Sequence, residues 1–266
     1  MNSSQSNTAI NAEGRQYFDL GDRIALVTGA SSGLGWHFSR LLAAHGCVVG
    51  IAARRQQRLA ELQTEIEKTG GRAIPLVMDV RDSDSVSAGL ARLREEAGDC
   101  SILVNNAGVA VTQSFLDADV QNDTVFDVNQ HAVWRVGQQV CRQMRETGGG
   151  SVINIASIAG LRQFSGAASY VVSKAAVVQL TKVMALELAR FNIRVNAIAP
   201  GYFATEMNAD FLASKAGQTI LGRSPMRRSG QLTELDGVVL LLASERSSFM
   251  TGAVIPVDGG HLVSTM

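Results

Sequence analysis

The sequence predicts an α/β protein: a single doubly wound domain with a seven-stranded parallel sheet and helices on both faces. Three observations predict it. Short, β-branched apolar runs alternate with longer amphipathic stretches along the chain. The short runs are apolar at successive positions, as strands buried on both faces require. The first run ends in a glycine-rich turn that leads into helical spacing, which is how a doubly wound sheet opens.

Each element follows in order. "RIALVTGA" is the first strand, and "GLGWHFSRLLAAHG" is a helix that stops at Gly46. "CVVGIAAR" is the second strand, and "RQQRLAELQTEIEKTGG" is an amphipathic helix closed by two glycines. "AIPLVMDV", the helix "SDSVSAGLARLREEAG" and the strand "SILVNNAG" come next. The stretch "QNDTVFDVNQHAVWRVGQQVCRQMRETGGG" reads as one long helix. "SVINIAS" is the fifth strand, "AASYVVSKAAVVQLTKVMALELAR" a long helix, and "IRVNAIAP" the sixth strand. A loop-rich region from Gly201 to about Ser229 precedes the helix "QLTELDGVVLLLASER" and the strand "AVIPVDGG". No repeat or internal linker interrupts this order. The polar residues 1–18 read as a mobile N-terminal tail, and 19–266 as one domain.

Composition narrows the function. Of 266 residues, 46% are apolar and 18% charged, enough apolar material for a large core. The formal net charge is zero, which argues against nucleic acid as a partner. The first twenty residues lack the apolar core of a signal peptide, and no apolar run is long enough to span a membrane. Cys47, Cys100 and Cys141 are far apart and form no CxxC pair, so free buried thiols in a reducing cytoplasm are expected, with no metal site.

Three motifs carry the chemistry. Gly29, Gly33 and Gly35 in "VTGASSGLGWHF" follow TGxxxGxG between a strand and a helix. Glycines there let the backbone turn tightly beside a phosphate, and the free N–H groups at the helix start attract one. "NNAG" closes the fourth strand at 105–108. Tyr170 and Lys174 stand four residues apart, one helical turn, so they share a face.

Together, and in this order, these motifs resemble the short-chain dehydrogenase/reductase family in its form of about 250 residues. The likeness runs from about Leu20 to Gly260. It implies a Rossmann-type cofactor site formed by Gly29, Ser31, Ser32, Gly33, Leu34 and Gly35. Ala53 stands where members favouring NAD carry aspartate. Arg54 and Arg55 follow, and a guanidinium pair suits the 2′-phosphate of NADP(H). Arg54 is expected to make the principal contact, with Arg55 and Ser31 assisting. The plainer alternative, two solvated arginines at a helix start, sets positive charge against the helix dipole.

The resemblance places Asp79 and Val80 against the adenine, although Asp79 also suits a helix N-cap. It places Asn106, Ala107 and Gly108 along the cofactor, with Asn106 bracing neighbouring strands. An asparagine doublet buried there calls for a polar network. Pro200, Gly201 and Thr205 are implied near the nicotinamide carboxamide, with Thr205 also readable as an N-cap.

The resemblance makes Tyr170 the catalytic acid/base and Lys174 its partner, which lowers the phenol's pKa and binds the nicotinamide ribose. Ser157 holds the substrate oxygen. Asn129, an unusual residue inside a helix, holds a water that relays protons to Lys174. His131, two residues on, faces elsewhere.

The segment from Tyr202 to about Met226 reads as a substrate lid. Phe203, Met207, Phe211, Leu212, Leu221 and Met226, with Ala110, Ile158 and Phe164, either form an apolar substrate pocket or pack the lid. Arg162 meets an anionic substrate group or lies at the rim. The expected activity is NADP(H)-dependent hydride transfer to or from a small ketone or secondary alcohol, with an apolar ketone or a 3-oxoacyl substrate favoured and sugar, polyol or steroid alcohols as the alternative. A non-catalytic NADP-binding regulator, or an isomerase or dehydratase, is the competing class. The helix bearing Tyr170 is apolar on more than one face, and the family packs it against a partner, so a homotetramer is expected, with a dimer as the alternative.

Overall fold

In the computed structural model, residues 18–21, 23–117, 124–206 and 209–264 are described. The expected mobile tail lies outside them except for Phe18. The strands are β1 (Ile24–Thr28), β2 (Val48–Ala53), β3 (Arg72–Val77), β4 (Ile102–Asn105), β5 (Gly150–Ile155), β6 (Ile193–Pro200) and β7 (Val254–Val257). They form one parallel sheet in the order β3-β2-β1-β4-β5-β6-β7, with the seven strands expected from sequence.

The order reverses between β1 and β4. Helices leave the two strands toward opposite faces there, which opens a crevice at the carboxyl ends. On one face, Phe38 and Leu42 of α1 (Gly33–Ala44), Leu59 and Leu62 of α2 (Gln56–Lys68) and Val239 of α8 (Asp236–Ala243) pack on Val27, Ile51 and Ile153. On the other, Leu90 and Leu93 of α3 (Ser83–Glu96) and Val136 and Val140 of α4 (Ala132–Glu146) cover Leu26, Leu76 and Val152. Beside them, Val177 and Val178 of α5 (Ala168–Leu188) pack on Ala156 and Ala197. Burial of the strands on both faces explains why their sequences are apolar without alternation.

Several elements differ from the sequence reading. The long helix expected before β5 is a short helical turn, Thr124–Phe126, then a π-turn, Asp127–His131, then α4. The loop-rich region holds two short helices, α6 (Ala209–Ala213) and α7 (Lys215–Arg223). The helix expected over 231–246 begins as a 3-10 turn, Leu232–Leu235, which Gln231 and Glu234 close with a capping box. The N-cap of α3 is Asp82, whose carboxylate accepts from Asp84 N–H at 2.9 Å, and not Asp79. Gly46 does end α1, at φ +98°.

Candidate active site

A cleft of about 390 Å³ opens at the carboxyl ends of β1, β2, β4, β5 and β6. Its floor is the glycine-rich turn. Gly29 has φ +68° and Gly33 φ +55°, left-handed values that favour glycine. Gly35 has another reason to be glycine: a Cβ there would lie 2.4 Å from Gly29 O and 2.5 Å from Asn106 Nδ2. It lets α1 approach β1 and β4, and does not itself line the cleft. At the N-terminus of α1, Ser32 makes no side-chain cap bond and the first turn holds no acid. Its N–H groups are therefore suited to an anion.

Thr28, overlooked in the sequence reading, ties this floor together. Its Oγ1 accepts from Asn106 N–H and Ala107 N–H, both at 3.0 Å. Asn106 Nδ2 donates to Thr28 O at 2.9 Å, so it bridges β1 and β4 as expected. The other member of the doublet, Asn105, donates to Asn154 Oδ1 at 3.0 Å, and Asn154 Nδ2 donates to Thr181 Oγ1 at 3.0 Å. That buried chain ties β4 and β5 to α5 and supplies the expected polar network.

At one end of the cleft stand Arg54 and Arg55. Arg55 donates to Ser31 Oγ at 3.0 Å, Ser31 O at 3.1 Å and Ser32 Oγ at 2.9 Å, so it stiffens the turn. Arg54 has no hydrogen-bond or ion-pair partner among the described residues, and its charge reaches Asp79. Asp79 and Val80 line the same end. The Arg81 guanidinium pairs with Asp79 at 2.7 Å and holds its carboxyl down at about 2. Arg58 stacks over Trp36 at 4.7 Å and reaches Glu206, another wall residue the sequence did not single out, at 3.4 Å.

The other end gathers Ser157, Tyr170 and Lys174 around Asn106, Ala107 and Gly108. Ser157 sits just past β5 as the N-cap of a 3-10 turn, Ile158–Gly160, its Oγ accepting from Ala159 N–H at 3.1 Å. Tyr170 lies in the first turn of α5, near enough to Ser157 for the serine hydroxyl to favour the phenolate. Lys174, 4% exposed, donates from Nζ to Ile155 O at 2.8 Å, and Nζ is 5.9 Å from the centre of the Tyr170 ring.

The electrostatics differ from the sequence reading. Burial pushes the Tyr170 phenol above its usual value, with the Ser157 hydroxyl pulling the other way. Burial also disfavours the Lys174 ammonium and brings the lysine down to about 8. Asn129 is fully buried in the π-turn and does not line the cleft. Its Oδ1 accepts from Val109 N–H at 2.8 Å, and its Nδ2 donates to Val109 O at 2.9 Å and Ser173 Oγ at 3.2 Å. The extra residue of a π-turn aims the side chain inward, a distortion frequent at functional sites. A Cβ at Gly108 would fall 3.4 Å from Asn129 Oδ1 and 3.6 Å from Lys174 Nζ, so both flank one spot. His131 points away, pairing with Asp127 at 3.2 Å on the surface.

Pro200, Gly201, Phe203 and Thr205 complete the wall. Of the eight described apolar residues among the nine named for the substrate, Phe203 alone lines this cleft. Ile158, Leu212 and Leu221 are buried, while Ala110, Phe164, Phe211 and Met226 are exposed and Met207 lies outside the described residues. Arg162 spends its Nη1 on three backbone carbonyls, of His261, Leu262 and Ser264, at 3.3–3.5 Å.

Known proteins share this architecture. Residues 29–261 match the family model described as enoyl-(acyl carrier protein) reductase. Gluconate 5-dehydrogenase of Gluconobacter oxydans is 39% identical over 251 residues, 93% of this chain and 97% of that protein. The 3-oxoacyl-(acyl-carrier-protein) reductase FabG of Thermotoga maritima is 37% identical, covering 92% of this chain and 99% of that one. The crystal structure of a gluconate 5-dehydrogenase from Burkholderia cenocepacia J2315 in complex with NADP and tartrate superposes with a TM-score of 0.90 at 34% identity, over 94% of this chain and 99% of that one. By sequence and by fold, the chain belongs to the short-chain dehydrogenase/reductase family of oxidoreductases.

Proposed function

We propose that the protein is an NADP(H)-dependent oxidoreductase that interconverts a ketone and a secondary alcohol, with Tyr170 as acid/base. The observation that carries this reading is the convergence of Ser157, Tyr170 and Lys174 at one end of a cleft whose other end holds Arg54, which has no hydrogen-bond or ion-pair partner among the described residues.

The cleft fits the cofactor. The glycine-rich turn takes left-handed backbone at Gly29 and Gly33, the α1 N-terminus is uncapped by side chains, and Arg54 offers a guanidinium with no hydrogen-bond or ion-pair partner among the described residues. Gly29, Ser31, Ser32, Gly33 and Leu34 would hold the pyrophosphate end, and Arg54 and Arg55 the 2′-phosphate. Asp79 and Val80 would meet the adenine, Asn106, Ala107 and Gly108 would lie alongside, and Pro200, Gly201 and Thr205 would meet the carboxamide. The bound cofactor supplies or accepts the hydride.

The chain's own residues manage the oxygen and its proton. Ser157 donates to the substrate oxygen and holds it beside Tyr170. Tyr170 gives its proton to that oxygen in reduction and removes it in oxidation. Lys174, disfavoured as an ammonium by burial, returns the proton to Tyr170 and binds the ribose. Asn129, locked to Val109 and Ser173, orders the route by which Lys174 is reprotonated. The segment from Tyr202 to Met226 acts as the lid.

The substrate reading favours an apolar ketone or a 3-oxoacyl thioester, supported by the likeness to FabG and by Phe164, Phe211 and Met226, exposed on segments flanking the cleft. A polyhydroxylated acid is the second reading, supported by the gluconate 5-dehydrogenase likeness. A homotetramer is supported by the exposed Val172 and Leu186 on α5, Trp134 on α4, and Phe249 and Val263 near β7. Three buried free thiols suit the cytoplasm.

Fluorescence titration with NADPH and NADH, followed by turnover on 3-oxoacyl thioesters, cyclic ketones and oxidised sugar acids, tests the reading. NADPH preference with turnover abolished in Tyr170→Phe supports it. Tighter NADH binding refutes the cofactor assignment, and NADPH binding without any turnover favours a regulator.

A further inference from the structure

Contacts from three separate segments converge on one short turn after β7, residues 258–264. The turn is rigidly built. Gly259 and Gly260 have φ +62° and +84°, and the Asp258 carboxylate accepts from Gly260 N–H at 2.9 Å and Leu262 N–H at 2.8 Å. At the start of the lid, the Tyr202 ring meets the His261 ring edge-on, centroids 5.5 Å apart. At the end of the lid, Ser224 Oγ and Met226 N–H donate to Gly259 O at 2.9 and 3.2 Å. From the loop behind Ser157, Arg162 clasps the carbonyls of His261, Leu262 and Ser264. Both ends of the lid and the segment of the substrate-holding serine therefore rest on one support.

One atom of that support is ill at ease. His261 Nδ1 is buried and has no hydrogen-bond partner among the described residues. A stranded buried nitrogen disfavours the arrangement that buries it. At this support the lid is held by a ring contact and two hydrogen bonds and opposed by this nitrogen. Tyr202 is also within electrostatic reach of Tyr170.

We propose that His261 is a positioning residue of the reaction, setting through Tyr202 how readily the lid leaves its resting place on the turn 258–264. The proposal rests on reading 202–226 as the lid. The ring edge gives Tyr202 a seat, and the unsatisfied nitrogen keeps that seat shallow, so substrate can enter and product can leave.

Two variants separate these contributions. His261→Phe keeps a ring for Tyr202 and removes the stranded nitrogen, whereas His261→Ala removes the seat. Limited tryptic cleavage after Lys215 and Arg223, both within the lid, reads lid opening in the intact protein without any turnover. His261→Phe should slow that cleavage about fivefold or more, and His261→Ala should speed it. NADPH affinity should stay within about twofold in both, since His261 does not line the cleft. The KM for a carbonyl substrate should fall in His261→Phe and rise in His261→Ala, with smaller changes in kcat. Cleavage of His261→Phe at or above the wild-type rate overturns the proposal, whatever the fate of His261→Ala. Because cleavage needs no substrate, this result stays readable even if the ketone reading fails.

Discussion

Among the described residues Lys174 gives its one side-chain hydrogen bond to Ile155 O at 2.8 Å, and its Nζ stands 5.9 Å from the centre of the Tyr170 ring. The lysine is thus anchored to the end of β5, the strand that leads directly to Ser157. The geometry of the acid/base pair is set by the sheet and not by contact between the two side chains.

The phenol needs help to ionise, and Ser157 supplies it. Tyr170→Phe is expected to lower kcat about 10²–10⁴-fold with NADPH affinity nearly unchanged. Ser157→Ala removes the hydroxyl that pulls the phenol down, so the Tyr170 pKa rises. In alcohol oxidation, where Tyr170 acts as the base, the rising limb of the pH–rate profile should move to higher pH. A limb that stays put or moves down in this variant would separate Ser157 from Tyr170.

Lys174 is disfavoured as an ammonium because it is buried, with its pKa down at about 8 from an ordinary 10.5. Below about pH 8 both folded and unfolded chains carry the proton, and the folded one bears the burial cost. Between about 8 and 10.5 the unfolded chain keeps the proton that the folded chain sheds, so stability rises with pH in that window. Lys174→Met should therefore gain on the wild type at pH 7 by about 1 kcal/mol or more, after losing the Ile155 bond, with the gain shrinking toward pH 10. Denaturant unfolding of both proteins at the two pH values measures it.

Arg54 and Arg55 should fail differently. Arg54 has no partner in the described protein, so Arg54→Ala costs the cofactor contact alone: NADPH affinity falls about tenfold or more, and NADH affinity does not. Arg55 is bonded to Ser31 and Ser32. Arg55→Ala should weaken NADH as well, because the turn that holds the shared pyrophosphate loosens. Paired titrations with the two cofactors distinguish the residues.

Gly35→Ala tests the floor of the cleft. Its new methyl would sit 2.4 Å from Gly29 O, which backbone cannot relieve cheaply. About 3 kcal/mol of stability should be lost, together with cofactor binding. Thermal unfolding should show a large drop in Tm, while Gly70→Ala, at a position with open space but φ +81°, should show only the smaller cost of its backbone conformation.

The sheet was legible because its strands are mostly apolar and lack polar alternation, which leaves a parallel, doubly covered arrangement as the natural reading. The cleft was legible because its chemistry sits in contiguous strings: the glycine turn, the arginine pair and the tyrosine–lysine turn. What escaped were relations between distant positions. Thr28 looks like a routine strand residue until Asn106 and Ala107 arrive from 78 and 79 residues away. The π-turn at Asn129 follows from a bond to Val109, which helical periodicity cannot express. His261 and Arg162 find each other only after seven strands are in place. The burial that pushes the Tyr170 phenol up was out of reach for a related reason, since burial depends on the whole fold.

The three cysteines, which play no part in the chemistry, have a practical consequence. Cys47 belongs to the core on one face of the sheet, Cys100 and Cys141 to the core on the other, and burial pushes each thiol up to about 12. None is a competent nucleophile while the chain is folded. The unaltered protein therefore carries its own reporters. A thiol reagent will mark Cys47 only when one layer of helices lifts and Cys100 or Cys141 only when the other does, so mass spectrometry of the alkylated peptides can tell whether the two layers come away together or in turn.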